Sequence, residues 1–219
     1  MVSRTGHYEP IAREGHIFIV PPALAALALW WFGSPWGSAF FLLLAVAVAM
    51  FFRNPERVSP QADGIVLSPA DGRVVALVEQ TGSRNLSGLP MKRISIFMSV
   101  FNVHVNRSPV SGKVTKIEHV AGGFLDARDP SASITNEHNS MVLAADDQFM
   151  EVVQIAGKVA RRIACWVREG DSVKQGERFG LIRFGSRVDV YLPKNFSFSV
   201  NLGTRVRAGV TVIARRDGS

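Results

Sequence analysis

The chain has 219 residues, 47% of them apolar, and a formal net charge of +7. That is enough apolar material for one or two ordered domains and excludes an intrinsically disordered chain. The positive balance points to an anionic partner, and a membrane surface is favoured over nucleic acid. The basic residues come singly or in pairs, without the interleaved aromatics of a stacking platform, and the N-terminal region is strongly apolar.

From Ile17 to Phe52 no side chain is charged. The run reads as two helical pieces, 17–32 and 39–52, separated by a Gly/Pro turn at 33–38. As helices they reach about 24 and 21 Å, short of the roughly 30 Å hydrocarbon core. A membrane-associating helical hairpin over residues 1–55 is therefore expected, either dipping into the bilayer or crossing it as two short spans. Trp30, Trp31 and Trp36 suit a polar interface. Arg4 and Arg13 before the run, and Arg53 and Arg57 after it, put both flanks on the cytoplasmic face of the cell membrane. The run is too long for a cleaved signal peptide, and no small-residue cleavage site ends its first piece.

Beyond Arg57 short β-rich runs alternate with Gly, Pro, Asp and Asn, so residues 56–219 are expected to form a mainly β, sandwich- or barrel-like domain. One unit recurs: SPADGRVVALVE (68–79) and SPVSGKVTKIEH (108–119), with a weaker echo in IAGKVARRI (155–163). The segment VREGDSVKQGERFGLI (167–182) resembles the hammerhead turns of lipoyl- and biotinyl-type β domains, a likeness of fold alone. Within the repeats Asp71 and Ser111 occupy the same position before Gly. A turn there does not demand a carboxylate, which leaves Asp71 between a turn former and a functional group.

In RISIFMSVFNVHVNRSP (93–109) the apolar positions change parity near Val100-Phe101. A β-bulge would do this, and it would set Asn102, His104 and Asn106 on one face. An imidazole in a polar row is either structural or functional; His7, His16, His119 and His138 have no comparable setting. Cys165, the single cysteine, excludes an intrachain disulfide and reads as a small buried hydrophobe. No compact metal-ligand spacing and no nucleotide-phosphate loop occurs. In LIRFGSRVDVYLP (181–193), Val188, Val190 and Leu192 alternate with Arg187, Asp189 and Tyr191, the pattern of a half-buried strand, and Gly185-Ser186 interrupts the run leading into it.

In this order, the apolar anchor, FFRNPER, SPADG, FMSVFNVHVNRSPVSG, NEHNS (136–140) and RFGSRVDVYLP resemble the short form of the phosphatidylserine decarboxylase family, over most of the chain. The resemblance implies a proenzyme that cuts itself at Gly185-Ser186 into chains 1–185 and 186–219, which stay together as a heterodimer. Ser186 would attack the Gly185 carbonyl, His104 would take the hydroxyl proton, and Asp71 would hold the imidazolium. Ser186 would become a pyruvoyl group, the only cofactor. It would form a Schiff base with the phospholipid's serine head group and release carbon dioxide and phosphatidylethanolamine. Longer members carry a second histidine where this chain has Arg107, which becomes a candidate ligand for the substrate's phosphate or carboxylate. Asn136, Glu137 and Asn139 match a family segment of a loop near the site. The implied partners are the lipid substrate and the membrane surface, with room for a higher homo-oligomer and no role for nucleic acid. Two alternatives stand beside this one: a membrane-anchored hammerhead adaptor or carrier without catalysis, and a decarboxylase of another serine-headed lipid such as archaetidylserine.

Overall fold

In a computed structural model that describes residues 8–80, 90–129, 131–145, 148–158, 162–183 and 185–218, the chain divides into two units, one ending at Glu56 and the other running on from Arg57. Arg4, His7 and Phe184, which figure in the sequence reading, lie outside the described residues.

The first unit is the apolar run, folded as α1 (His16–Trp31) and α2 (Pro35–Phe51), packed against one another. The turn between them is shorter than expected. Pro35 opens α2 at a position where a missing N–H costs nothing and its φ is already helical, so most of 33–38 joins the helix. At the base of the hairpin the Ala12 N–H donates to the Phe52 carbonyl (2.9 Å) and the Asn54 N–H to the Pro10 carbonyl (2.7 Å), tying the entering chain to the leaving one. Leu27, Trp30, Trp31, Trp36 and Leu43 are all more than half exposed. Apolar surface on this scale is unfavourable in water and suits lipid. Arg13–Trp31 is long and apolar enough to cross a membrane, whereas α2 is shorter.

The second unit is mainly β. In chain order its strands are β1 (Ile65–Leu67), β2 (Gly72–Val78), β3 (Lys92–Met98), β4 (Val105–Arg107), β5 (Gly112–Val120), β6 (His138–Ala145), β7 (Gln148–Ile155), β8 (Ile163–Cys165), β9 (Ser172–Val173), β10 (Arg178–Ile182), β11 (Ser186–Leu192), β12 (Phe196–Phe198), β13 (Arg205–Val206) and β14 (Val212–Arg216). Eight form one curled antiparallel sheet in the order β13-β2-β3-β11-β7-β6-β5-β9. Two three-stranded sheets, β1-β14-β12 and β4-β10-β8, accompany it. The core holds Ile94, Ile96, Met98, Met141, Val152 and Val188 from the large sheet with Phe179 and Ile213 from the small ones.

The repeat seen in the sequence is a structural one. Ser68 Oγ donates to the Ala70 carbonyl and Ser108 Oγ to the Val110 carbonyl, both at 2.7 Å. Each unit then enters a strand with a bulge at the same place, between Val74 and Ala76 in β2 and between Val114 and Lys116 in β5. Each strand takes a two-residue edge partner, β13 for β2 and β9 for β5. The copies also bond to each other: the Leu67 N–H donates to the Pro109 carbonyl and the Arg107 N–H to the Pro69 carbonyl, both at 2.9 Å. The echo at 155–163 runs from the end of β7 to the start of β8, and its residues 159–161 lie outside the described residues.

Two strand expectations need correction. The parity change at 100–101 is not a bulge in one strand. β3 ends at Met98, residues 99–102 turn, closed by the Asn102 N–H to the Ser99 carbonyl (3.0 Å), and β4 joins a different sheet. Ser99 N–H and Oγ both donate to Asn102 Oδ1 (2.9 and 2.8 Å), which is why Asn102 stops the strand. Second, β11 is buried along its whole length, between β3 and β7. Ala127, Asp129 and Ser133 lie against its polar face: Arg187 Nη1 donates to the carbonyls of Ala127 (3.1 Å) and Asp129 (3.2 Å), and Nη2 to Ser133 Oγ. Arg187 also faces Asp189, Nε to Oδ1 at 2.9 Å, and Arg93 reaches the same carboxylate at 3.9 Å. Removing one member of a buried pair strands the other charge. Asp189→Ala is expected to lower stability by about 3–5 kcal/mol, read from the urea midpoint of the detergent-solubilised chain. A midpoint equal to the parent's would mean that water already satisfies Arg187.

Candidate active site

Ser186 opens β11 in register with Met98 of β3. It is fully buried, and its hydroxyl lies 3.4 Å from Met98 Sδ. Gly185 before it has φ +56°, a left-handed conformation that a side chain disfavours. The Gly185 carbonyl points at Gly157, just beyond β7. A Cβ built on Gly157 would overlap that carbonyl oxygen and lie 3.0 Å from the carbonyl carbon.

Around Met98 runs a chain of buried amides. Asn106 Nδ2 donates toward Met98 Sδ (3.8 Å) and the Pro69 carbonyl (3.5 Å). Gln154 Nε2 donates to Asn106 Oδ1 (2.9 Å), and Asn139 Nδ2 to Gln154 Oε1 (3.2 Å). All three amides are at most 2% exposed. Each fixes the next, because an amide oxygen that accepts leaves its NH2 directed the other way.

His104 follows the 99–102 turn and is fully buried. Its Nδ1 lies 2.9 Å from the Asn102 carbonyl. A carbonyl can only accept, so Nδ1 carries the proton and Nε2 is the basic nitrogen of the neutral ring. The His104 carbonyl accepts from the Ile182 N–H (3.3 Å), at the end of the strand that leads into Gly185.

Asp71 is placed differently from the expected arrangement. Arg57 binds its carboxylate with both terminal nitrogens, Nη1 to Oδ1 at 2.5 Å and Nη2 to Oδ2 at 2.9 Å, and the Ala208 N–H donates to Oδ1 at 2.8 Å. Among the described residues its bonds go to these partners, not to His104. In the other repeat copy Ser111 Oγ accepts from the Gln175 N–H at 2.9 Å. The turn's demand for one acceptor is thus met by either side chain, and what Asp71 adds is a charge held by a planar fork. Arg107 is 5% exposed, and its Nη1 donates to the Gly176 carbonyl at 2.9 Å, bracing the turn before β10.

Asn136 is fully buried and clamps a loop. Its Oδ1 accepts from the Leu125 N–H (2.8 Å), while Nδ2 donates to the carbonyls of Leu125 (2.9 Å) and Ala156 (2.8 Å). With the Ala156 N–H bonded to the Glu137 carbonyl (2.9 Å), both backbone groups of the residue before Gly157 are pinned. Sequence reasoning missed Gly157, Gln154 and the Arg57 partner. Glycine next to alanine and a lone glutamine in a strand carry no signal of what they face.

Asp71 also borders an open cleft of about 820 Å3, with Phe97, Ser99, Asn102 and four arginines, Arg73, Arg128, Arg205 and Arg207. Arg128 stands over the Phe97 ring at 5.6 Å and binds Asp126, whose carboxyl its hydrogen bonds pull down to about 2.

The phosphatidylserine decarboxylase family matches residues 44–214, more than three quarters of the chain, and the match contains every residue of this site. The chain belongs to the phosphatidylserine decarboxylase family. It is accordingly a decarboxylase, a lyase of phospholipid biosynthesis. The match begins inside α2, so α1 lies outside it.

The lone thiol lies next to Asn139, at the far end of the amide row from Met98. Burial pushes the Cys165 thiol up, and its Sγ lies 3.6 Å from the Val167 carbonyl. Because the thiolate is the reactive form, Cys165 is expected to react with iodoacetamide at pH 8 more slowly in the folded chain than in the urea-unfolded one. Equal rates would mean that the thiol is accessible and ionised as in water.

Proposed function

We propose that the chain is a membrane-associated proenzyme that cuts itself between Gly185 and Ser186, turns Ser186 into a pyruvoyl group, and then decarboxylates phosphatidylserine to phosphatidylethanolamine. The observation that carries the reading is a buried serine hydroxyl directly after a left-handed glycine whose carbonyl is wedged against Gly157. Glycine reaches this left-handed backbone at little steric cost, where a side chain would be strained.

In the cleavage, Ser186 Oγ attacks the Gly185 carbonyl carbon and gives its proton to a base, for which His104 Nε2 has the right tautomer. The C–N bond breaks as the C–O bond forms, and the nitrogen is protonated, so an amide becomes an ester. Loss of the Ser186 α-proton then expels the Gly185 carboxylate and leaves dehydroalanine. One water enters and one ammonia leaves, giving the ketone. The residues fit such a group: the site is buried, Met98 touches the hydroxyl and is itself approached by Asn106, and no side chain at Gly185 or Gly157 crowds it. Once formed, the pyruvoyl group supplies the electron sink for carboxylate loss from an amino-acid head group.

In this reading Asp71 acts through Arg57 and its turn: the ion pair fixes the strand entry at Gly72 and leaves His104 to be oriented by Asn102. Arg107 is a brace in the same reading, not a substrate ligand. The hairpin brings the β unit to the interface where the head group lies, and Arg13 and Arg53 favour the cytoplasmic face. The two cleavage products would remain joined because β11 is flanked by β3 and β7 of the other chain.

Intact mass spectrometry of the purified, denatured protein is expected to give two chains, 1–185 and 186–219, the smaller lighter by one ammonia than its seryl-terminated form. Ser186→Ala is expected to give one uncut, inactive chain. A folded parent chain that stays uncut would overturn the proposal.

A further inference from the structure

The geometry points to the arginine-lined cleft as the site for the phosphodiester and carboxylate of a phosphoserine-type head group. The inference rests on the reading above and assigns to that reaction arginines that the cleavage chemistry does not use. Arg73 of β2 and Arg205 of β13 stand directly opposite one another in the sheet register. Like charges at such a cross-strand pair repel and destabilise the pairing. Arg207 adds a third guanidinium at the same cleft. Among the described residues no carboxylate bonds Arg73, Arg205 or Arg207, and the acids nearby are already engaged, Asp71 by Arg57 and Asp126 by Arg128. The cleft is therefore left cationic, and an anion with two separate acidic groups would offset the repulsion that the sheet carries.

The cleft also has the right neighbours. Asn102, which lines it, gives its carbonyl to His104 Nδ1, and Ser99, also in the lining, donates to Asn102 Oδ1 and so fixes that turn. Arginine suits the role because its planar fork matches carboxylate and phosphate oxygens in pairs. Arg73, Arg128, Arg205 and Arg207 are exposed, unlike the buried Arg107.

The test is binding of glycerophosphoserine to the full chain in neutral detergent, carrying Ser186→Ala so that cleavage plays no part. Calorimetry is expected to show binding that weakens by about tenfold or more in Arg73→Gln/Arg205→Gln. In the otherwise native chain the same pair of changes is expected to leave self-cleavage untouched and to raise KM for a dispersed short-chain phosphatidylserine, with kcat nearly unchanged. Equal binding with and without the arginines, or no binding, overturns the inference. So does inorganic phosphate displacing the probe at equal concentration, which assigns a plain phosphate site, and so does a loss confined to binding of phosphatidylglycerol vesicles, which assigns a general bilayer contact. A parent chain that is cut and releases carbon dioxide while failing these tests keeps its function and loses the cleft.

A different observation carries a second inference: we infer that Gly157 is a positioning residue for self-cleavage, holding the Gly185 carbonyl for attack. Gly157 has no left-handed φ, so its backbone would accept alanine, and it is the Gly185 oxygen that excludes a methyl group. Asn136 and Glu137 pin the preceding residue, so the wall against which the carbonyl rests is fixed. Gly157→Ala is expected to fold and to slow cleavage by about tenfold or more, since small misplacements of reacting atoms cost that much. Hydroxylamine, which cuts the ester but not the amide, is expected to release correspondingly less product. Gly112→Ala is the structural control: its Cβ would lie 2.5 Å from the Ala144 carbonyl in β6, so it is expected to lower Tm while its folded fraction is cut normally. Asn136→Ala tests the same wall without a clash. Parent-like cleavage in folded Gly157→Ala overturns the inference, and so does slowing in the Gly112→Ala control to the same degree. An uncut parent would instead overturn the cleavage reading itself.

Discussion

Two backbone hydrogen bonds, Leu67 N–H to the Pro109 carbonyl and Arg107 N–H to the Pro69 carbonyl, join the two Ser-Pro turns of the β unit to each other. Everything that positions the site leaves from this junction. From one turn the chain enters β2, which pairs with β3; from the other it enters β5, which pairs with β6. β11, with Ser186 at its head, lies between β3 and β7, so both arms of the repeat converge on it. Buried backbone groups must find partners, and each turn satisfies the other's.

The site lies where the two copies differ. Ser111 and Asp71 each accept one backbone N–H at equivalent places, yet only Asp71 carries a charge and takes the Arg57 fork. Likewise β4 follows a turn that ends in Asn102 and delivers His104, whereas β1 has no such lead-in. A duplicated scaffold supplies two halves, and these side-chain differences are accommodated without disturbing the junction. The buried amides serve the same end. Each costs desolvation that only its neighbour repays, so the row tolerates one arrangement and holds Met98 and the serine hydroxyl beside it.

The helices of the hairpin expose leucines and tryptophans that a water-soluble domain would bury, and its base is tied by bonds between residues 10–12 and 52–54. Exposed apolar surface of this kind is compatible with lipid.

Much of this was legible in the order of residues. Local chemistry decides where turns fall and where charge is absent, so the apolar hairpin, the Ser-Pro repeat, the β class and the Gly-Ser break before β11 could be read directly. The Gly-Ser pair entering a half-buried strand pattern raised a question, and it was the resemblance to a family, not the pair itself, that singled out Ser186. What could not be read are facts about partners distant in sequence. That β11 is covered on both faces depends on Ala127, Asp129 and Ser133, that Asp71 is held by Arg57 depends on how the chain returns past residue 208, and that Gly157 must lack a side chain depends on a carbonyl 28 positions away. Periodicity reports which side of an element is apolar, not what lies against the polar side. A glycine reports that space is needed, not what fills it. Those assignments arise only when non-local strands pair, because their register, and no property of the residues alone, brings the groups together.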